Sequence, residues 1–528
     1  MHVHILIFKF KFSGNDLGGE PYGDIYEPTL FGSAGGGPKG GAGGGRIWLN
    51  VTNTIMIDGL MTASGDKGEM EGNSVSYSSD GWVNSKPGGG GSGGSIWLYC
   101  QRITGYGTML AQGGNGSKGA FRNASGSGNT TNYKTTYYGG GGGAGGRIAM
   151  YFTQNETFSE FRFLARGGWP GDEDDDSESG GPGTIYLYNM AQDHRTLIID
   201  NDEAAYPREK YVNWDNRMSD GGRAWILPQS GTSDFANNMY VFQFEELQIY
   251  GNGHLAVLNP GEITVFDAAV SGQVSNFNVT IDFKYMIGDR TGTVHVNKDQ
   301  VMDLIREEID LPFNCYVYYG GFLGMAPMTY VHGVEIHLAG VLSNIENITL
   351  HHGGYLWLQN GGRTPAQDYS HFKFDYILIQ DDGKIDCTTD AVTDHGITFY
   401  LKAVTVEGGG VFHGTYMTFD VENVTVDDGG VITTEGKGYN TTHTHATHSS
   451  SSVHGNVLTF SYPEKTYSLS VYQIKRFSCR YCSLCKWRCA AYSDLIYCHR
   501  LSPDTNVYSI QAYLTLLVLL YVNYYAYV

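Results

Sequence analysis

The sequence predicts an all-β solenoid, in which short strands and sharp corners repeat and stack as rungs. Two repeats support this fold class: a nine-residue phrase in the second half and a glycine-rich unit in the first. The chain holds 38 Tyr and 24 Phe, and aromatic residues favour strands. Its 74 glycines follow no Gly-X-Y period, which excludes collagen.

Residues 1–20 are predicted to be an irregular start. The opening MHVHILIFKFKF alternates apolar and basic residues. It lacks the continuous apolar stretch and small-residue cleavage site of a signal peptide. A truncated or mispredicted beginning of a secreted chain is favoured over a protein that is not secreted.

Residues 21–201 form a glycine-rich array of repeated units. Each unit has a glycine run, a strand led by isoleucine and a second strand, and the units start near residues 43, 93, 144 and 181. The glycine runs are expected where backbones turn or approach closely. A phosphate-binding loop is disfavoured, because no run is followed by Lys-Ser/Thr and a helix. Polar insertions at 69–87, 118–136 and 172–180 are expected to project as loops.

Residues 202–240 show no repeat and are interpreted as a connector, after which the nine-residue phrase governs 241–440. Its copies are LQIYGNGHL (247–255), ITLHHGGYL (348–356), ILIQDDGKI (377–385), VTVEGGGVF (404–412) and VTVDDGGVI (424–432). Alternating apolar residues predict a half-buried strand, and the glycine in seventh place is expected to permit a positive-φ corner. One helix-like interval, 301–313, is expected to be an insertion.

Residues 441–528 are predicted to be an irregular tail, made of a His-rich linker, a basic Cys-rich piece and an apolar end. The apolar centre at 512–522 is short of the ~20 residues that span a bilayer. Contact with a membrane is therefore expected only if this end is an anchor. An out-of-frame or intron-derived tail is at least as strongly favoured.

The net charge and the glycosylation sequons of the chain indicate which partners and which cellular location to expect. The net charge of −20 argues against nucleic acid and leaves calcium, cationic partners and neutral glycans open. Only three cysteines precede residue 479, so disulfides do not build the body. Asn-X-Ser/Thr sequons predict a secreted, glycosylated chain, against chance occurrence in an Asn-, Ser- and Thr-rich protein. They lie at Asn50, Asn115, Asn123, Asn129, Asn155, Asn278, Asn347, Asn423 and Asn440.

Three sets of residues are candidate metal ligands, each with a simpler interpretation. Cys479, Cys482, Cys485 and Cys489 have the spacing of an iron–sulfur run, but Ala490 stands where that pattern has Pro, and disulfides or zinc are alternatives. His443, His445 and His448 could bind a divalent metal or form a solvated linker. The acidic run 172–176 with Glu178 could bind Ca²⁺ or be solvated.

Catalytic candidates are few. Asp381 and Asp382, with His395, faintly resemble the Asp pair and His-Gly of pectin-degrading hydrolases. Paired aspartates before glycine are otherwise ordinary turn residues. Tyr355, Trp357 and Tyr369 could stack on sugar rings or belong to an aromatic ladder in or beside the core.

The glycine-rich units, GDIYEPTLFGSAGGG (23–37) followed by GGGRIWLNVTNTIMIDG and AGGRIAMYF, resemble large glycine-rich extracellular β-helix proteins within the pectate-lyase-like superfamily. This resemblance implies a right-handed parallel β-helix at the cell surface or in the matrix. It carries no catalytic residues over to this chain.

The leading functional hypothesis is a non-enzymatic structural or adhesion protein, a fragment of a larger one, whose partners are extracellular proteins or glycans. The alternative is a polysaccharide hydrolase or lyase, or a glycan-binding module. A groove with three acids would favour an enzyme, and a row of aromatic residues without acids would favour binding.

Overall fold

The computed structural model describes residues 23–71, 83–125, 132–155, 161–171, 177, 179–202, 224–226, 239–257, 278–297, 300–303, 307–318, 320–359, 371–388, 397–414, 417–434, 456–462, 465–471, 487–492 and 495–500. All regular secondary structure in these ranges is β-strand, which confirms the predicted all-β class. No described segment is a helix of the length and apolarity needed to cross a membrane. Most pairs in the three longest sheets are parallel.

The first half contributes one end of a ten-stranded sheet, named here the shared sheet, in the order β1-β6-β11-β14-β15-β17-β19-β21-β24-β27. Equivalent residues stack in register, so that Ile96 pairs with Ile47 on one side and Ile148 on the other. Ile96 and Leu98 are fully buried, as their alternation predicts. The strands of this half are β1 Arg46–Asn50, β2 Thr54–Met56, β3 Leu60–Thr62, β4 Met70–Glu71, β5 Val83–Pro87, β6 Ser95–Tyr99, β7 Arg102–Thr104, β8 Thr108–Leu110, β9 Lys118–Ser125, β10 Asn132–Gly139, β11 Arg147–Phe152, β12 Gln154–Asn155, β13 Arg162–Leu164, β14 Thr184–Asn189 and β15 His194–Asp200.

Two of the three insertions expected as loops contain strands instead. Strands β4, β5, β9 and β10 pair with one another in an antiparallel sheet. The run NYKTTYYG in β10 is rich in Thr and Tyr, which favour a strand even outside the repeated coil. Most of the third insertion, 172–176 and 178, lies outside the described residues.

The glycine runs form a packed layer of extended segments, named here the glycine lattice (32–45, 63–69, 87–94, 111–117, 139–146, 165–171 and 179–183). Along 88–94, successive N–H groups point to three neighbouring segments in turn. Those of Gly88, Gly91 and Gly94 reach 63–69, those of Gly89 and Ser92 reach 33–36, and those of Gly90 and Gly93 reach 141–144. A period of three residues is that of polyproline II geometry. The expected close approach is confirmed: a Cβ on Gly44 would lie 1.9 Å from the Ala63 carbonyl oxygen.

The chain reverses direction between β14 and β15, which pair antiparallel. At the same hairpin, the hydrophobic core moves from one face of the shared sheet to the other. Ile185 belongs to the core of the first half, whereas the adjacent Tyr186 and, on β15, Leu197 belong to the core of the second half. Tyr26, from the N-terminal segment, packs edge-on against Tyr186 with ring centroids 4.8 Å apart, so both halves meet across the shared sheet.

The second half distributes its strands among the shared sheet, a second long sheet (β16-β18-β20-β23-β26-β29-β32-β34-β36) and a third long sheet (β22-β25-β28-β31-β33-β35-β37-β38). From β21 to β29 the chain visits the shared, third and second sheets in strict rotation, three times. The strands are β16 Ala224–Ile226, within the predicted connector, β17 Met239–Tyr250, β18 His254–Val257, β19 Asn278–Gly288, β20 Thr293–Val296, β21 Gln300–Asp303, β22 Glu308–Asp310, β23 Asn314–Val317, β24 Phe322–Gly324, β25 Met328–His332, β26 Glu335–Leu338, β27 Val341–Ser343, β28 Asn347–His351, β29 Tyr355–Gln359, β30 His371–Lys373, β31 Tyr376–Ile379, β32 Lys384–Thr388, β33 Ile397–Val406, β34 Val411–Gly414, β35 Met417–Val426 and β36 Val431–Thr433.

The prediction of a helix-like interval at 301–313 is wrong. This interval holds most of β21 and all of β22, and Ile309, Leu311 and Phe313 are buried at every second position. A period of two is that of a strand, and the charged residues between the apolar ones are compatible with it.

The five phrase copies are confirmed as strand, corner and strand, but the glycine in seventh place has another role. Positive φ falls one or two residues earlier, as at Asp381 (48°), Asp382 (63°) and Gly409 (84°). In seventh place, a Cβ on Gly354 would lie 1.9 Å from the Val331 carbonyl oxygen of the preceding rung. This glycine is therefore required by close stacking rather than by a special φ.

Part of the tail predicted to be irregular contains strands. β37 Asn456–Tyr462 pairs in parallel with β35, and β38 Lys465–Val471 folds back on β37. β39 Trp487–Tyr492 and β40 Leu495–Arg500 form a separate hairpin. The tail thus extends the third long sheet by two strands.

Candidate functional site

The outward face of the second long sheet carries a column of aromatic, histidine and acidic residues. Along each strand, apolar residues such as Val294, Ile336 and Leu356 are fully buried, so their neighbours point away from the core. Parallel register then places the outward residues side by side in one column. This column, named here the outer ladder, consists of His295, Tyr316, His337, Trp357, Asp386 and His413.

The middle of the outer ladder is a continuous row of rings. Tyr316 lies 4.4 Å from His337 between ring centroids, and His337 meets Trp357 edge-on at 5.2 Å. All three are half-buried. Rings held on adjacent strands of a regular sheet have little rotational freedom, so the row is a preorganised aromatic surface.

The end of the outer ladder nearest β18 is a buried hydrogen-bonded chain. His254 Nδ1 lies 2.9 Å from His295 Nε2, and His295 Nδ1 lies 3.1 Å from the Tyr318 hydroxyl. His295 and Tyr318 are fully buried. Buried polar groups are stabilised by such pairing, so we interpret this end as structural.

The opposite end is charged. Asp386, 6% exposed, accepts a hydrogen bond from His413 Nδ1 at 3.2 Å and lies 3.1 Å from Lys384 Nζ. Burial, and secondly the Asp386 carboxylate, raises the pKa of Tyr355, which keeps its hydroxyl protonated. The Lys384 ammonium lies 5.3 Å from the centre of the Tyr355 ring.

Glu335 supplies a second carboxylate on the same face. It accepts a hydrogen bond from His337 Nε2 at 2.7 Å, and this bond lowers the pKa of Glu335. Glu335 pairs in register with Tyr355, and Tyr355 with Lys384. The face therefore combines stacking surface, two carboxylates and one ammonium, which suits hydroxyl-rich ligands.

The residues predicted to be catalytic lie elsewhere or outside the described residues. Asp381 and Asp382 are exposed in the corner before β32, and their left-handed φ values fit the turn interpretation. His395 lies outside the described residues. Asp386 was not found from the sequence, although its place is readable: it stands one residue after the last position of a phrase copy, as His413 and Trp357 do.

The predicted metal ligands fall mostly outside the described residues: Cys479, Cys482, Cys485, His443, His445, His448, the run 172–176 and Glu178. Cys489 lies in β39 opposite Cys498 in register. Within the described chain, a different group could hold a metal: one ligand atom each from His332, His351 and His352 lie within 4.8 Å of one another. Desolvation, then the Arg290 and His351 charges, lowers the pKa of His332.

The sequons differ in accessibility. Asn50, Asn115 and Asn423 are exposed. Asn347 is half-buried, and its amide donates to Met328 Sδ at 2.9 Å. Asn123, Asn155 and Asn278 lie in β9, β12 and β19, and Asn129 and Asn440 fall outside the described residues.

Comparison of the chain with protein-family models, with curated proteins and with solved structures gives no match.

Proposed function

We propose that this chain is a non-enzymatic adhesion protein of the extracellular space or cell surface, built as a right-handed parallel β-helix, which binds glycans through the outer ladder. The observation that carries the proposal is the row of rings from Tyr316 through His337 to Trp357 on an outward sheet face. Sugar rings present C–H groups that pack on aromatic faces, and the flanking Glu335 and Lys384 can bind hydroxyls.

The strict rotation of β21 to β29 through three sheets supports the β-helix. Crossovers between parallel strands of one sheet are right-handed in about 98% of cases, which supports the hand. The reversal between β14 and β15 would by itself invert the hand of the coil. At the same hairpin, the core moves to the opposite face of the shared sheet. A reversed strand direction combined with a reversed core face leaves the hand unchanged, so both halves coil in the same sense.

The extracellular location rests on the sequons and on the resemblance of the glycine-rich units. Asn50, Asn115 and Asn423 are exposed, so attached glycans would need no local unfolding. The acidic net charge of −20 fits neutral or cationic partners. Rigid stacked rungs suit a rod that holds contact surfaces at fixed spacing.

Glycan binding by the full chain tests the proposal, with a glycan array followed by calorimetry on the best ligand. Trp357→Ala is expected to weaken binding about tenfold, since an aromatic contact contributes about 0.5–1.5 kcal/mol beyond its buried area. Trp48→Ala is the matched control, because Trp48 is 55% exposed on the shared sheet, far along the chain from the outer ladder. Absence of any bound glycan, or equal loss in both variants, would refute the proposed site.

A polysaccharide-cleaving enzyme is the second candidate, favoured by Glu335 and Asp386 on one face. Their backbone positions lie two rungs and two residues apart, about 12 Å at ~4.8 Å per rung and ~3.3 Å per residue, so both side chains must lean together to reach the ~6.5–9.5 Å carboxylate separation of inverting glycosidases. Release of reducing ends by the wild-type chain, abolished in Glu335→Gln with retained glycan binding, would decide for the enzyme. Binding without release decides for the adhesion protein.

A further inference from the structure

The three histidines His332, His351 and His352 converge at the corner between the third and second long sheets. His332 ends β25 and His351 ends β28, and the two are register partners on adjacent rungs. His352 begins the corner that follows β28. Ring centroids are 4.4 Å apart for His332 and His351, 4.9 Å for His332 and His352, and 5.0 Å for His351 and His352.

The backbone at this corner has a left-handed conformation. His352 has a φ of 49°, in the left-handed region. The same place in other phrase copies holds Gly251, Asp381 and Gly408, with φ values of 56°, 48° and 56°. Glycine adopts this φ without strain, whereas a non-glycine residue costs about 1–3 kcal/mol there, and Asn, Asp and His are the residues found there most often. His352 therefore differs from the glycine or aspartate of those copies by carrying a ring that meets the rings of His332 and His351.

We propose that His332, His351 and His352 bind a divalent transition metal ion of the zinc class. Three imidazoles leave a fourth position for water or another ligand, as in open zinc sites. With metal–nitrogen distances of about 2.0–2.1 Å, tetrahedral ligand atoms lie roughly 3.4 Å apart. The ligand atoms lie within 4.8 Å of one another, so metal binding requires side-chain rotations that bring them up to about 1.5 Å closer, and His352 is exposed and half-buried His332 and His351 border it.

Two charged neighbours set the affinity of the site. The Arg290 guanidinium lies 3.5 Å from His332 Nε2, so it competes with a cation for that ring. Asp310 Oδ2 lies 3.2 Å from Arg290 Nη2 and 4.0 Å from His332 Nδ1. Asp310 therefore offsets the arginine charge, and its carboxylate is close enough to His332 to be a candidate for the fourth position. The site is independent of the glycan proposal, since it uses none of the outer-ladder residues.

The test is a Zn²⁺ titration of the full chain by calorimetry, after alkylation of accessible thiols. The background carries His443→Ala, His445→Ala and His448→Ala, so that the linker histidines do not contribute. We expect one Zn²⁺ per chain in this background and at least tenfold weaker binding on adding His351→Ala. Adding His194→Ala, a half-exposed histidine of the β14–β15 hairpin, is the control and should leave the affinity unchanged.

Two further variants separate metal binding from folding. His352→Gly relieves the left-handed strain, so it should unfold at the same or a higher temperature without metal and yet lose the Zn²⁺-induced rise in unfolding temperature. Arg290→Gln removes the competing charge and should bind Zn²⁺ more tightly. The proposal is overturned if the background binds no Zn²⁺, or if His351→Ala and His352→Gly bind it as the background does.

Discussion

The glycine lattice and the coil of the second half stack rungs by opposite means. In the lattice, backbone N–H groups reach three neighbouring segments in turn, and a Cβ at Gly44 would come within 1.9 Å of another backbone. In the second half, ladders of buried side chains such as Leu350 and Val406 fill the interior between the sheets. Most glycines of the lattice leave no room for an added Cβ, whereas the coil depends on the side-chain atoms that fill its interior.

The two solutions have different thermodynamic origins. A glycine run loses much conformational entropy on folding, and hydrogen bonds between neighbouring segments offset it, as in 88–94, where every N–H group is paired. The coil instead gains about 25 cal/mol for each Å² of apolar surface that it buries. The comparison predicts that alanine destabilises packed positions of both regions for different reasons: an added atom in the lattice and lost atoms in the coil.

The largest effect is expected for Gly44→Ala. Its Cβ would lie 1.9 Å from the Ala63 carbonyl oxygen and 2.5 Å from the Gly94 nitrogen, so backbone must move. We expect a loss of about 4 kcal/mol or more in the free energy of unfolding, in the exceptional range for one substitution. Chemical denaturation measures it, with the next residue as control.

Gly45→Ala is that control, since no heavy atom lies within 4 Å of a Cβ built there. It should be neutral or more stable by up to about 1 kcal/mol, because alanine restricts the unfolded chain. If the two neighbouring substitutions had equal effects, the close packing of the lattice would not be what determines its composition.

The intermediate effect is expected for Val406→Ala in the second half. Val406 is fully buried, while its register partner on the next rung, Val426, is 45% exposed. Removing two buried methyl groups should cost about 2 kcal/mol, between the values for Ile→Val and Leu→Ala. Val426→Ala loses the same atoms at an exposed position and should cost well under half as much.

Unfolding free energies of both valine variants, measured under one condition, provide the comparison. Equal losses at Val406 and Val426 would mean that strand propensity, and not the buried ladder, stabilises the rungs.

The sequence revealed the stacked rungs of the second half because their period and corner residues are local. Alternating apolar residues and the Gly, Asn and Asp of each corner need no tertiary contact to be read. The seventh-place glycine was misread because φ and close approach select the same residue. For the glycine runs the sequence left both turning and close approach open, and the structure shows close approach of neighbouring runs in the glycine lattice.

The candidate sites were harder to predict because they exist only between rungs. His332 and His351 are 19 positions apart and meet through register, which no local spacing reveals. Asp386 and Trp357 share a column for the same reason. The interval around Ile309 was predicted as a helix because its apolar residues fit two periods, and burial at every second position decided for the strand.

The smallest effect is a contrast in pH dependence between Asp24, beside the first half, and Asp289, in a corner of the second. Burial raises the pKa of Asp24 above its ordinary 3.8. Burial acts in the same direction on Asp289, but hydrogen bonds from the Gly251 N–H and from the Thr291 hydroxyl and N–H outweigh it and lower its pKa.

The two shifts have opposite consequences for stability. The folded state holds the Asp24 proton more tightly than the unfolded state, so stability falls as pH rises from 3.8 through the raised pKa. For Asp289, stability is present above 3.8 and is lost as pH falls through the lowered pKa. Asp24→Asn, which keeps an oxygen for the Tyr26 N–H, should therefore raise the unfolding free energy at neutral pH, and Asp289→Asn should lower it. Denaturation of both variants across acidic and neutral pH measures the two slopes, and a change of the same sign in both would contradict the assignment of opposite electrostatic environments.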